Sequence, residues 1–176
     1  MTLPYKAIPD APILYTPGTV VARMIDGLGF RYYWATEELN EEDLTYQPSK
    51  DTRTIGAIVD HLYGLSQVIY NAAAKEVNNR GIASDEILTF KEKRKRTLVN
   101  FKKASAILSE TTNLQEHPTI FSSQNETTTF PFWNQINGPI EDAVWHAGQV
   151  VILRRAAGNP IPNGVNVFLG TRIEKK

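Results

Sequence analysis

The chain contains three histidines, His61, His117 and His146, and two of them fall where chemistry could be assembled. His146 lies in an apolar segment near the C-terminus, with Asp142 four residues before it. On a helix that step is roughly 40°, so both side chains emerge on one face, which continues as Val150 and Leu153. His61 shares a helical face with Ile58, Leu65 and Val68. A histidine and a carboxylate one turn apart can each give a lone pair to one metal ion, and a histidine from a facing helix completes three ligands. Three protein ligands plus open positions is the plan of a catalytic zinc, nickel or iron site. A metal held so lowers the pKa of bound water or polarises a substrate oxygen. The same residues also admit a plainer reading, in which helix-face histidines are simply hydrogen-bonded and Asp142 answers the helix dipole in a first turn.

Other candidates are weaker. His117 stands beside Pro118 in an irregular stretch and reads as a surface histidine. Tyr63, two residues from His61, is roughly 200° away around a helix and is no neighbour of it. Gln149 lies one turn beyond His146, off the line through Asp142, and is a candidate to support the His146 ring. No residue is assigned a direct catalytic role. Lys91, Lys93, Arg94, Lys95 and Arg96 form a basic cluster, but it winds around its helix with Glu92 interrupting it, which reads as a solvated surface. Lys plus Arg equals Asp plus Glu at 19 each, so no net field attracts nucleic acid.

These residues need elements to position them, and the apolar spacing predicts four helices. The first spans about Pro17 to Leu39, with Val21, Met24, Leu28, Ala35 and Leu39 inward; Gly27 and Gly29 could allow a close helix contact. The second begins at Thr52 or Thr54, either of which can cap it. It runs through Ala74 and is ended by Asn78, Asn79 and Gly81. The third starts after Ser84 or Asp85 and reaches Ser109, with Ile87, Leu98, Phe101, Ile107 and Leu108 inward. The fourth opens at Pro139, carries Glu141 and Asp142 in its first turn and Arg154 and Arg155 in its last, and stops at Gly158. Tyr32, Tyr33 and Trp34 read as bundle or interface residues.

The fold class is therefore all-α: one domain over 1–176, with an extended arm (1–17) packing along a four-helix bundle (18–158) and a tail (159–176) holding a short helix or turn near Val165–Leu169. Thr111 to Asn137 is a long irregular connection before the last helix, with short β pieces allowed; if it covers the site, Phe130, Phe132 and Trp133 line the pocket. Bundles place metal and ligand sites between facing helices.

The chain has no cysteine, so disulfides, thiolate nucleophiles and cysteine-ligated metals are excluded. That composition, the lack of a basic-then-apolar leader and the absence of a run of ~20 apolar residues point to a cytoplasmic protein.

The segment Trp145-His146-Ala147-Gly148-Gln149-Val150-Val151-Ile152-Leu153-Arg154-Arg155-Ala156-Ala157-Gly158 resembles the last bundle helix of the DinB-like family, metal-binding four-helix bundles related to thiol-dependent transferases. Thr54-Ile55-Gly56-Ala57-Ile58-Val59-Asp60-His61-Leu62 resembles the family's second helix, and the likeness covers about residues 18 to 158. Members typically hold a divalent metal through three histidines. The resemblance puts those ligands at His61, Asp142 and His146, with Asp142 departing from the family's histidine. It implies zinc, nickel, manganese or iron as cofactor and a small-molecule substrate, such as a low-molecular-weight thiol with an electrophile, or metal-dependent hydrolysis or isomerisation. With the aromatic first helix, it also implies a homodimer. The alternatives are a non-catalytic ligand-binding or dimerising member whose metal site has decayed and, third, a nucleic-acid binder using Lys93 to Arg96.

Overall fold

The computed structural model describes residues 2–79, 86–124 and 126–173. It is mostly helical. Four long helices carry it: α1 (Pro17–Thr36), α3 (Ile55–Ala74), α4 (Phe90–Ser109) and α6 (Glu141–Ala156), with short α2 (Glu41–Thr45) and α5 (Phe132–Gln135) between them. Each start has a local cause. Thr16 caps α1 by accepting from the Thr19 amide, with Pro17 in the first turn. Of the two threonines that could cap α3, Thr54 does so, accepting from the Ala57 amide. Thr89 and Glu92 form a reciprocal capping box on α4, so that helix begins at Phe90; Ser84 and Asp85, the expected caps, lie outside the described residues.

Side-chain contacts fix the helix directions. Asp60 meets Lys93, Ser66 meets Asn100, and Lys103 lies over the Tyr70 ring. The numbers rise together, so α3 and α4 are parallel. Gly18 abuts the carbonyls of Leu108 and Thr111, while Thr36 meets Arg94, so α1 and α4 are antiparallel. His61 meets Asp142 and Val68 meets Gln135, so α3 and α6 are antiparallel. The order up, down, down, up follows, and the helices touch in a closed ring α1–α4–α3–α6.

The core lies inside that ring. Val21, Ile25, Leu28, Ala35, Ile58, Leu62, Ile69, Leu98, Phe101, Leu108 and Val150 are buried. Tyr32, Tyr33 and Trp34 are buried with them, which makes them core residues of this chain. Three expected inward residues face out: Met24 and Ile107 lie on helix flanks at 36% exposure, and Ile87 precedes the α4 cap and is 97% exposed. Helix α1 ends at Thr36, three residues before Leu39, with Glu37 extended, and arginines from other helices satisfy its final carbonyls. Arg94 donates to Tyr33 O and Thr36 Oγ1, and fully buried Arg154 donates to Trp34 O and Ala35 O.

The connection to α6 is more ordered than its composition suggests. Strands β2 (Thr119–Ser122) and β3 (Thr127–Phe130) pair antiparallel, with Ile120 opposite Thr129, and β1 (Asn78–Asn79) adds in parallel to β2. The β-branched threonines suit an exposed strand. His117 is buried, not on the surface: one ring nitrogen meets Ala73 O at the end of α3 and the other Thr111 Oγ1. The tail forms a second hairpin, β4 (Val165–Asn166) with β5 (Thr171–Arg172), joined by a turn over residues 167–170, the turn and not the short helix of the two forms expected there. In the arm, Tyr5 packs flat against Gly29, where a Cβ would lie 2.5 Å from its ring; the glycine serves the arm and not a neighbouring helix. Ile13, Leu14 and Tyr15 of the same arm are exposed. Among the described residues no helix is long and apolar enough to cross a membrane.

Candidate metal centre

The helical turn that delivers Asp142 and His146 is not a fresh start at Pro139. Helical winding runs from Phe132, widens to five-residue turns over Ile136–Ile140, and tightens again at Glu141. A proline inside an α-helix lacks the donor and clashes with the carbonyl four residues back. The wider turn accommodates Pro139 without breaking the helix, and such turns recur at functional sites. Buried Gln135 anchors this segment, accepting from Thr119 Oγ1 and donating to Val68 O. Sequence periodicity gave no sign of that role.

Facing α3, the segment brings His61, Asp142 and His146 together. His61 Nε2 lies 3.0 Å from Asp142 Oδ2, and His146 Nε2 lies 3.4 Å from Asp142 Oδ1. The imidazole rings meet edge to face with centroids 4.6 Å apart. One donor atom from each residue lies within 4.8 Å of the others. His61 and Asp142 keep about a third of their side-chain surface open, at 36% and 35%, while His146 keeps 14%. The group is thus reachable from solvent but backed by the core.

The tautomer of His146 follows from its other nitrogen. Nδ1 stands 2.7 Å from Gln149 Oε1. An amide oxygen only accepts, so Nδ1 carries a proton. In the neutral ring Nε2 then holds a lone pair aimed at a carboxylate oxygen, and two acceptors face each other across 3.4 Å. With the amide oxygen so placed, a cation between them makes that contact favourable, either a proton on Nε2 or a metal ion. Two imidazoles and one carboxylate form a donor set suited to borderline divalent ions. Two atoms each about 2.1 Å from one ion lie at most about 4.2 Å apart, so rotating the partly exposed His61 ring closes the set. The three residues fit a metal ion.

A cavity of about 370 Å³ opens beside His146, lined by Thr52, Arg53, Ile58, Gln149, Ile152 and Leu153. Its apolar wall comes from both helices and its polar rim from the residues just before α3. Leu153 was visible in the sequence on the His146 face; Thr52 appeared only as a capping candidate, and Arg53 gave no signal. The aromatic connection does not cover this cavity. Phe132 and Trp133 line a separate hollow with Leu114 and Ile136, because β2 and β3 hold the connection at the other end of α3. Tyr63 lies outside the group, as the helical spacing requires.

Comparison of the chain with models of known families, with curated proteins and with solved structures gives no match.

Proposed function

We propose that this chain is a metal-dependent enzyme of the DinB-like family, working in the cytoplasm on a small electrophilic substrate. In this reading the four long helices are the family's four-helix bundle, and His61, Asp142 and His146 hold one zinc, nickel, manganese or iron ion. The observation that carries it is the pair of facing acceptors, His146 Nε2 and Asp142 Oδ1, with Gln149 fixing the tautomer behind them. Supporting partners of this kind orient ligand histidines in metal sites. A bound divalent ion supplies Lewis acidity, favouring attack by a thiol or by water.

The chain's own residues supply the rest. Ile58, Ile152 and Leu153 bind an apolar portion of the substrate next to His146, while Thr52 and Arg53 offer polar contacts at the rim. Thiol transfer and hydrolysis both suit a site open on one side. The reading includes self-association into a homodimer.

The alternative, a non-catalytic member whose metal site has decayed, draws support from the 3.0 Å His61–Asp142 hydrogen bond, which satisfies both groups without an ion. Elemental analysis of the protein as isolated separates the two, together with thermal melting on addition of zinc, nickel or manganese. The metal reading expects close to one equivalent of metal, lost in His61→Ala and Asp142→Ala. Metal-free protein with no thermal response to any of the three ions supports the alternative.

A further inference from the structure

A helix on the outside of a ring should turn charged or polar residues to water. Helix α6 does not. Its outward stripe is Glu141, Trp145, Gly148, Ile152 and Arg155, at steps of four, three, four and three, and all five are exposed. Trp145 is 69% exposed and Ile152 66%. The residue types mirror one another about Gly148: an acidic residue seven before it and a basic one seven after, with Trp145 three before and Ile152 four after. Neither Glu141 nor Arg155 has an ion-pair partner among the described residues.

Gly148 adds an independent observation. A Cβ built there meets nothing within 4 Å, so packing within this chain does not require glycine. Glycine inside a helix costs about 1 kcal/mol relative to alanine. Small residues at such positions let two helix backbones approach closely.

We propose that the chain forms a two-fold dimer through this face, with the two α6 helices antiparallel and crossing at Gly148. In that register Trp145 packs on the partner subunit's Ile152, and Glu141 meets the partner subunit's Arg155; by symmetry each contact occurs twice. The alternating four- and three-residue spacing is that of left-handed helix pairing. A parallel pairing would set Glu141 against Glu141 and Arg155 against Arg155, so charge selects the antiparallel one. Ile152 also lines the cavity beside His146, so the partner subunit's Trp145 would border the mouth of the candidate site. The proposal rests on the self-association in the reading above, not on the metal, and is tested on chelator-treated protein.

A contact along one 16-residue helix covers less than the ~1,600 Å² of a standard interface, so the association is sought over the concentrations of a weak dimer. Sedimentation equilibrium over about 5–500 µM should show the mass rising from 19.8 kDa towards twice that value. Ile152→Glu should keep the protein monomeric, with its circular dichroism and melting unchanged. Gly148→Ala should raise the melting temperature at low concentration while weakening the dimer. Glu141→Arg should weaken it about tenfold, and adding Arg155→Glu to that variant should restore it. A wild-type monomer at the highest concentration overturns the proposal. So does a dimer that tolerates Ile152→Glu and is broken instead by Met24→Glu on the outer face of α1, or a double charge swap that fails to restore association.

Discussion

Gln149 Oε1 stands 2.7 Å from His146 Nδ1, and this one contact determines which nitrogen of His146 faces Asp142. Without it, the ring can take either tautomer and turn away from the site. Gln149→Leu should therefore weaken zinc binding about 10- to 100-fold in competition with a chromophoric chelator, while the melting temperature of metal-free protein stays the same. Gln149→Glu keeps an acceptor at the same place and should retain most of the affinity. Equal affinity in Gln149→Leu and the wild type would count against the contact as a metal-site support.

The candidate ligands were legible because spacing on one helix is a local property. Asp142 and His146 are fixed relative to each other by the four residues between them, whatever the fold around them. Their meeting with His61 depends on α3 and α6 packing antiparallel, which spacing leaves open; only the resemblance to a metal-binding bundle groups His61 with them. The helix ends were less legible. Pro139 looks like a helix start, yet the backbone accommodates it in a widened turn. Arg154 and Arg155 look alike as last-turn cations, but only Arg154 is directed inward, because the end of α1 lies beside it. His117 was read as a surface residue because nothing nearby in sequence reveals that the Ala73 carbonyl needs a donor.

Arg154 yields a prediction on stability. Its guanidinium is fully buried and donates to Trp34 O, Ala35 O, Asn159 O and Asn159 Oδ1. The Trp34 and Ala35 carbonyls lie away from water, and each one orphaned costs about 1–3 kcal/mol, while Asn159 is only partly buried. Urea denaturation of Arg154→Ala should show a loss on the order of 3 kcal/mol or more. Arg154→Lys should recover less than half, since one ammonium cannot reproduce the planar fork. A loss below about 1 kcal/mol in Arg154→Ala would show that water replaces the fork.

A second stability prediction has the opposite sign. The hydroxyls of Tyr32 and Thr97 are buried near each other, and neither makes a hydrogen bond of good geometry. A buried polar atom left unpaired is a cost that its removal relieves. Tyr32→Phe and Thr97→Val should each leave the protein as stable as before or raise its stability by up to about 1 kcal/mol, with the double variant at least as stable. Melting curves check this; destabilisation of both single variants but not of the pair would mean that the hydroxyls bond to one another in solution.

The arm and α1 together predict a loss of stability in alkali. Burial first, then the charge of Asp26 and the hydrogen bond to it, push the Tyr5 phenol well above its ordinary range. Burial likewise pushes Tyr32 up to about 12. Both folded values exceed those of the unfolded chain, near 10. The stability from each neutral phenol is therefore complete below about pH 10 and is lost as pH rises towards the folded values, because the unfolded chain releases protons that the folded one retains. Each group contributes a slope of about 1.4 kcal/mol per pH unit in that window. Urea unfolding at pH 9, 10 and 11 should show stability level at first and then falling steeply. Tyr5→Phe removes one group's share of that slope. It also removes the hydroxyl donated to Asp26, so at pH 8 it should already be less stable than the wild type by about 1–3 kcal/mol. A wild-type slope no steeper than that of Tyr5→Phe would mean that the arm bearing Tyr5 lifts off α1 before the rest of the chain unfolds, and stability level to about pH 11 would overturn the prediction for both phenols.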